Sequence, residues 1–266
     1  MPSARTIRRI HPAVSDDIGD LRTQRPLPNG EVDQIDPFLF LNHHGPQVYP
    51  PNNGGLPFGP HPHRGFETVT FIVEGSVAHR DSAGHESVIR AGGVQWMTAG
   101  RGIEHAEVSP EEFRRDGGPL EILQLWINLP SRLKMTAPRY VGLQREEIPS
   151  FGGVHLIAGT WDGHRGPVDS LTGVQMMTID AAAGARVTLP APRGRSVFFY
   201  DVRRFHLVDF NDDGDAVEYE AAADTLLLLG HAEPIGEPVV AYGPFVMNTQ
   251  QEIVQAMRDY RDGMFR

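Results

Sequence analysis

The sequence of 266 residues contains no cysteine, which excludes disulfide bonds, thiolate zinc sites and a cysteine nucleophile. No run reaches about 18 consecutive apolar residues, so no membrane-spanning helix is expected. The first residues, MPSARTIRRIHP, lack the apolar core of a secretory signal, and these absences together favour a cytoplasmic protein. Basic residues are also few, since 24 lysines and arginines stand against 34 aspartates and glutamates. The resulting net charge of −10 argues against direct binding of nucleic acid through its phosphates.

Glycine and proline are abundant, with 29 and 22 residues, which is typical of tight turns between short strands. Short apolar runs of strand type, such as TVTFIV at 68–73, recur through the first half. The same rhythm returns in the second half, for example in SVFFYDV at 196–202, and FNDDGD at 210–215 predicts a hairpin turn. Similar strands on both sides of a connection at 130–170 indicate a duplicated β-barrel.

The C-terminal residues predict an α-helix. Thr249 followed three residues later by Glu252 matches the capping box that begins many helices. Apolar residues then recur at helical spacing and form one stripe, which is typical of a helix packed on a barrel. The stripe consists of Ile253, Ala256, Met257 and Tyr260.

The strongest chemical signal is a His-x-His pattern, His61 with His63, and a His-x-Glu pattern, His105 with Glu107. A single buried histidine is more often a hydrogen-bonded structural residue than a metal ligand. Residues two apart on a strand, however, point to the same face. Inside a small barrel, three imidazoles and one carboxylate would therefore converge, which suits a divalent transition metal.

Spacing alone leaves open which carboxylate completes this set. Glu67 has the same parity as His63, and Glu107 has the same parity as His105. Glu104 has the wrong parity relative to His105. The sequence therefore allows either Glu67 or Glu107 beside the imidazoles.

The second half of the chain has no His-x-His pattern. His206 and His231 stand alone, and we interpret them as structural or exposed rather than ligating. A duplicated fold need not duplicate its function, so a single metal site in the first half is expected.

The two histidine patterns resemble the two motifs of the cupins. The first reads H-x-H-x3-E with a later glycine at Gly75, and the second reads G-x-x-H from Gly102 to His105. Two positions depart from the usual cupin pattern: Gly100 replaces a proline and Ser109 replaces an asparagine. Both departures match one cupin subfamily, the pirin family.

Five separated segments, in order, are similar to the pirin family, over most of the chain from about Asp36 to the C-terminal helix. They are DPFLFLNHHGP (36–46), HPHRGFETV (61–69), QWMTAGRGIEHAE (95–107), QLWINLP (124–130) and GPFVMNT (243–249). Asn42 stands where many pirins have an acidic residue.

The resemblance implies an all-β fold of two cupin barrels, of the jelly-roll-like double-stranded β-helix type, that face each other, with a C-terminal α-helix. Residues 1–135 would form the metal-binding barrel. Residues 136–266 would form a metal-free barrel, with the C-terminal helix packed back on the N-terminal half.

By the same resemblance, one divalent metal ion binds per chain, and Fe(II) is the expected metal. Zinc, manganese, nickel and copper also fit these donors. Glu67 would orient a ligand imidazole rather than bind the ion. The implied ligands are His61, His63, His105 and Glu107.

Pirins with an assigned activity resemble quercetin 2,3-dioxygenases, which open a flavonol with dioxygen and release carbon monoxide. Glu107 would then be the catalytic base that takes the proton of the flavonol hydroxyl. Phe71 and Met97 are predicted substrate contacts, since parity favours Phe71 over Phe66 for the inside of the barrel. The expected partners are therefore a flavonol and O2, with no membrane. The alternative implied by the family is a non-enzymatic, iron-dependent regulatory protein with an unidentified protein partner.

Overall fold

The computed structural model describes residues 3–265. Across this part of the chain it has 24 β-strands, two α-helices and two short 3-10 helices, which confirms the predicted all-β fold with a C-terminal helix. Within the same range, none of the helices is long and apolar enough to cross a membrane. Residues 1, 2 and 266, which the predicted domains include, lie outside the described residues.

The strands are short, as the frequent turns predict. The first twelve are β1 (Ile7–Pro12), β2 (Val14–Ser15), β3 (Thr23–Leu27), β4 (Phe38–Tyr49), β5 (Phe58–His63), β6 (Phe66–Glu74), β7 (Ser76–Asp81), β8 (Glu86–Arg90), β9 (Val94–Thr98), β10 (Ile103–Val108), β11 (Gly118–Asn128) and β12 (Arg139–Leu143). The other twelve are β13 (Ser150–Phe151), β14 (Val154–Ala158), β15 (Thr160–Trp161), β16 (His164–Arg165), β17 (Gln175–Ala181), β18 (Arg186–Pro190), β19 (Ser196–Asp201), β20 (His206–Phe210), β21 (Ala216–Glu220), β22 (Thr225–Ala232), β23 (Val240–Tyr242) and β24 (Phe245–Met247). The helices are α1 (Glu111–Asp116), α2 (Gln250–Arg261) and the 3-10 turns Ser131–Leu133 and Arg145–Glu147.

The chain forms two compact units from interleaved segments. Unit 1 consists of Met1–Val14, Arg25–Leu39 and Glu147–Pro234. Unit 2 consists of Ser15–Gln24, Phe40–Glu146 and Ile235–Arg266. Segments from the first part of the chain therefore belong to the unit built mainly from the second half, and the C-terminal segment belongs to the unit built mainly from the first half. The predicted domain boundary between residues 135 and 136 stays a prediction.

Unit 1 is organised around a seven-stranded sheet in the order β1-β20-β19-β22-β17-β14-β13. The N-terminal strand β1 pairs antiparallel with β20, which accounts for its place in this unit. Alternating apolar residues of these strands form a buried cluster that includes Leu156, Met177, Phe199 and Leu229. Burial of such side chains is the main stabilising contribution to a β-barrel core.

Unit 2 contains a four-stranded sheet in the order β5-β10-β7-β8, called here the histidine sheet. A second seven-stranded sheet runs β12-β9-β6-β11-β4-β3-β2. Along β10 the side chains alternate between buried and less buried, and Ile103, His105 and Glu107 are the buried ones. One face of β10 therefore carries both the apolar residue and the two polar groups that the motif predicts.

The C-terminal helix α2 begins as the capping box predicts. The Thr249 hydroxyl accepts a hydrogen bond from the backbone N–H of Glu252 at 3.2 Å. Ile253 and Ala256 are buried and Tyr260 is partly buried, so most of the predicted stripe packs in unit 2. Met257 is 44% exposed, because it lies at the edge of the stripe rather than on its centre line.

The predicted hairpin at 210–215 is wrong. β20 and β21 flank this turn but pair with different strands, β20 with β1 and β19, and β21 with β18. The turn is therefore a connection between two sheets. Turn residues mark a change of direction, but they do not say which strand the chain joins next.

Candidate metal centre

Two antiparallel strands of the histidine sheet bring the three motif histidines together. On β10, His105 lies opposite His61 of β5, and Ile103 lies opposite His63. The register shifts between His105 and Glu107, so β10 has an irregularity beside the histidines.

The three imidazoles form one compact group. Each offers a ring nitrogen, and these nitrogens all lie within 4.8 Å of one another. The ring centroids of His61 and His105 are 4.4 Å apart, and that of His63 is 4.8 Å from His61 and 5.0 Å from His105. His63 and His105 are buried while His61 is partly exposed, so the group borders solvent on the His61 side.

The environment keeps two of these imidazoles neutral. Burial, together with the neighbouring His61, lowers the pKa of His63 to about 3, although the bond to the carbonyl of Pro244 acts to raise it. Burial also lowers the pKa of His105, and the nearby His63 contributes in the same direction. A neutral imidazole keeps a lone pair, which is the form that binds a metal ion.

The hydrogen bonds orient the rings for this role. The Nδ1–H of His61 donates to the carbonyl oxygen of Gly59 at 2.7 Å, and that of His63 donates to Pro244 at 3.3 Å. Both rings therefore leave Nε2 as the acceptor, a common arrangement around metals. Among the described residues, neither buried nitrogen of His105 has a hydrogen-bond partner. Buried polar atoms are normally satisfied, so this donor set fits a metal ion.

Glu107 is buried on the same face of β10 as His105, but it lies outside the three-histidine group. One of its carboxylate oxygens accepts a hydrogen bond from the Thr70 hydroxyl, and the other accepts one from Nε2 of Gln124, both at 2.6 Å. These two donors hold the carboxylate in one orientation. Each oxygen retains a further lone pair for a proton or a cation.

Glu67 lies on the other face of its strand. On β6, Thr70 points towards Glu107, so the odd-numbered Glu67 points away from it. Its carboxyl accepts a hydrogen bond at 2.6 Å from Thr98, which is its cross-strand neighbour, and not from an imidazole. Burial raises the pKa of Glu67, although the bond from Thr98 acts to lower it.

The register also separates the two predicted substrate contacts. Met97 lies opposite Thr68, so it is on the same face of the sheet as Thr70, the face from which the Thr70 hydroxyl bonds Glu107. Phe71 is on the opposite face of β6, with Glu67. Alternation counted from β5 predicts that Phe71 faces inward, but the chain turns through Gly65 between β5 and β6, and the alternation restarts there.

Aromatic residues other than Phe71 lie beside the histidines. The ring of Phe66 lies 5.0 Å from that of His63, and Trp126 lies 5.4 Å from His63 and 4.4 Å from Phe66. Phe40 stacks on Trp126 at 4.7 Å. These three rings, rather than Phe71, form the aromatic wall next to the site.

The neighbouring strand carries a polar pair that the sequence motifs did not predict. On β7, His79 pairs across the sheet with Glu107, and its Nε2 bonds the buried carboxylate of Asp81 at 2.9 Å. The ring of His79 stacks on Tyr140 at 4.0 Å and lies 5.5 Å from that of His105. The signal was present, since HRD repeats the two-residue spacing of the ligand motifs.

Over residues 3–265, the three-histidine group is the only cluster with metal-ligand geometry. In unit 1, His231 accepts a hydrogen bond on Nδ1 from Nε of Arg195 at 2.7 Å. Burial, then Arg195, lowers the pKa of His231 to about 3, despite the opposing effect of Pro190. His231 is therefore a hydrogen-bonded structural residue, as the sequence indicated.

Known proteins share both the sequence and the fold. The chain matches the family model "Pirin" over residues 20–127 and the model "Pirin C-terminal cupin domain" over residues 194–266. A Pseudomonas aeruginosa protein that carries the name "Putative quercetin 2,3-dioxygenase" is 40% identical, with 87% of each chain covered. A Caulobacter vibrioides pirin-like protein is 39% identical, with 100% of each chain covered.

Among solved structures, a quercetin 2,3-dioxygenase from Acinetobacter baumannii superposes with a TM-score of 0.89 at 31% identity, and 99% of each chain is covered. The predicted cupin fold is thereby confirmed. Identity of this extent along nearly the whole chain, together with the two family matches, leaves one conclusion: the chain belongs to the pirin family.

Proposed function

We propose that this protein is a metal-dependent dioxygenase that cleaves a flavonol such as quercetin with O2. The observation that carries the proposal is the convergence of His61, His63 and His105 beside the oriented carboxylate of Glu107. The names of the Pseudomonas and Acinetobacter relatives support the same reaction class. We also propose that Glu107 supplies the carboxylate of a three-histidine, one-glutamate site.

The proposed metal is Fe(II), one ion per chain, with zinc, manganese, nickel and copper as the alternatives that imidazole and carboxylate donors also accept. When bound, such an ion supplies Lewis acidity, which lowers the pKa of a hydroxyl group that coordinates it. The partly exposed His61 leaves one side of the group open to solvent, as a substrate site requires.

Glu107 would take the proton that the substrate hydroxyl loses. Thr70 and Gln124 keep its two oxygens in place, so the carboxylate needs no rearrangement to accept a proton. This arrangement supports a role as base in addition to, or in place of, permanent metal ligation.

The aromatic wall would hold a planar substrate. Phe66 and Trp126 lie beside His63, and Phe40 extends the same wall by stacking on Trp126. Flat rings bind well against such faces, because stacking adds to the burial of apolar area. Met97 lies on the same inner face and stays a proposed contact.

The test is anaerobic reconstitution with each divalent metal, followed by measurement of oxygen uptake and carbon monoxide release with a panel of flavonols. We expect uptake that needs the metal and is abolished by His63→Ala. The control His164→Ala removes an exposed histidine of unit 1 and should retain activity. If fully metallated protein takes up no oxygen with any flavonol, the result contradicts the enzyme and favours the regulatory protein.

A further inference from the structure

Lys134 is the only lysine among the 24 basic residues of the chain, and its side chain is 1% exposed. Burial of a charged ammonium is costly unless every proton has an acceptor. Here each has one, because Nζ donates to the carbonyl oxygen of Gly65 at 2.8 Å, to Oδ1 of Asn128 at 2.7 Å and to the carbonyl of Val246 at 3.0 Å.

The three acceptors come from three different sequence motifs. Gly65 lies in HPHRGFETV, Asn128 in QLWINLP and Val246 in GPFVMNT. Only the first of these motifs contributes a histidine to the metal centre. The ammonium therefore connects two motifs that have no ligand of their own to the segment that carries His61 and His63.

These hydrogen bonds reach one of the proposed metal ligands, His63. The strand β24 runs beside the turn after His63, where the N–H of Val246 donates to the carbonyl of Arg64 at 3.0 Å. Pro244, just before β24, accepts a hydrogen bond from Nδ1 of His63 at 3.3 Å. This contact orients the imidazole and leaves its Nε2 lone pair for a metal.

The turn and β24 approach each other too closely for any side chain between them. A Cβ atom at position 65 would lie 1.9 Å from the carbonyl oxygen of Val246. The carbonyl oxygens of Gly65 and Val246 both carry partial negative charge, and the Lys134 ammonium donates to both. Without Lys134, these two carbonyl oxygens would lose the donor that they share in a buried region.

We propose that Lys134 is a positioning residue of the metal centre, which fixes the Gly65 turn against β24 so that Pro244 holds the imidazole of His63. The inference rests on the proposed function, because it takes the three-histidine group to be the metal site. The contrasting role for Lys134 is general stability of the fold. The two roles differ in whether metal binding responds to Lys134 through His63.

The experiment compares Co(II) binding to wild-type protein, Lys134→Met and Arg132→Met under nitrogen, by competition titration and by the visible spectrum of the bound ion. Methionine keeps most of the length but has no donor, and Arg132 is an exposed residue of the 3-10 turn that directly precedes Lys134. We expect Lys134→Met to weaken Co(II) affinity by about 10–100-fold, the usual effect of residues that orient ligands. Its spectrum should also change, while Arg132→Met should match wild type.

A double-mutant cycle separates positioning from stability. If Lys134 acts through His63, the loss of affinity caused by Lys134→Met should largely disappear in a His63→Gln background. Equal losses in both backgrounds, or a Lys134→Met protein with wild-type affinity and spectrum, would overturn the inference. Wild-type protein that binds no Co(II) would instead overturn the proposed metal centre.

A measurement on wild-type protein covers the case in which Lys134→Met does not fold. An amine-acylating reagent, followed by mass spectrometry of the lysine peptide, reports directly on this one side chain. Since coupling between sites is reciprocal, Co(II) should slow acylation of Lys134 relative to the metal-free protein, with urea-unfolded protein as the reference. Acylation that is insensitive to Co(II) would count against the positioning role.

Discussion

Glu107 and Glu67 are both buried carboxyl groups on strands of unit 2, but they have different partners. Thr70 and Gln124 hold Glu107 on the inner face with the histidines. Thr98 bonds Glu67 on the opposite face, where burial raises the pKa of its carboxyl. The amide of glutamine closely resembles a protonated carboxyl group, but it cannot accept a proton as a carboxylate base does.

We therefore expect Glu107→Gln to lower flavonol turnover by about 10²–10⁴-fold, the usual contribution of a general base, and to weaken metal binding. Glu67→Gln should cost no more than the roughly 10–100-fold that changes around metal ligands cause. Both variants are compared at equal metal content by oxygen uptake. Loss of the metal in Glu67→Gln, with metal and activity kept in Glu107→Gln, would reverse the assignment.

His231 gives a pH dependence that is independent of the metal centre. Its folded-state pKa is about 3 because burial, then Arg195 and Arg5, disfavour the charged ring, against an ordinary value of 6.5. Between these two pH values the unfolded chain binds one more proton than the folded protein at this residue. The free energy of unfolding must therefore fall as the pH drops through this window.

His231→Gln should remove this contribution and flatten the dependence of unfolding free energy on pH. The change in slope should approach about 1.4 kcal/mol per pH unit within the window, the value for one proton. Urea unfolding of metal-free protein at a series of pH values measures it. His164→Gln, which replaces an exposed histidine, serves as the control, and identical slopes in wild type and His231→Gln would refute the prediction.

Among the elements, helix α2 has an N-terminus with a specific cap. The Thr249 hydroxyl accepts from the N–H of Glu252, and the Glu252 carboxylate accepts from the N–H of Asn248. Thr249→Ala should lower the free energy of unfolding by about 1 kcal/mol, since it leaves a helix N–H without its partner. Urea unfolding measures the loss. Gln251→Ala, at an exposed position of the same turn, should be close to neutral, and equal values for the two variants would contradict the capping role.

Strand alternation predicted the site well within an element and poorly across a turn. His105 and Glu107 share a face because both lie on β10. Between His63 and Phe66 the chain turns through Gly65, whose φ is +89°, so the count of faces restarts. Parity carried across this turn therefore assigned Glu67 and Phe71 to the wrong side.

The remaining contacts depend on which strands become neighbours. Thr70 and Gln124 reach Glu107 from strands β6 and β11, and no local pattern specifies that pairing. The three acceptors of Lys134 are likewise far apart in the sequence. Motifs with fixed spacing were predictable because one strand or one turn sets their geometry. Contacts between distant strands required the whole fold.

At the scale of the whole molecule, the two units differ in what fills their interiors. In unit 2 the inner face of the histidine sheet carries imidazoles and carboxylates, whose lone pairs are available as ligands for a cation. The core of unit 1 is an apolar cluster around residues such as Met177 and Phe199. A divalent ion placed among these side chains would lose its hydration without gaining ligands, which is strongly unfavourable.

We therefore predict one tightly bound metal ion per chain, held in unit 2. Elemental analysis after loading with Fe(II) or Co(II) and removal of free metal should give a stoichiometry near one. His63→Ala should lower it towards zero, because two imidazoles alone bind a divalent ion weakly. His231→Gln changes a buried histidine of unit 1 and should leave it at one. Two ions per chain, or a full complement of metal in His63→Ala, would show that a site elsewhere in the chain holds the ion.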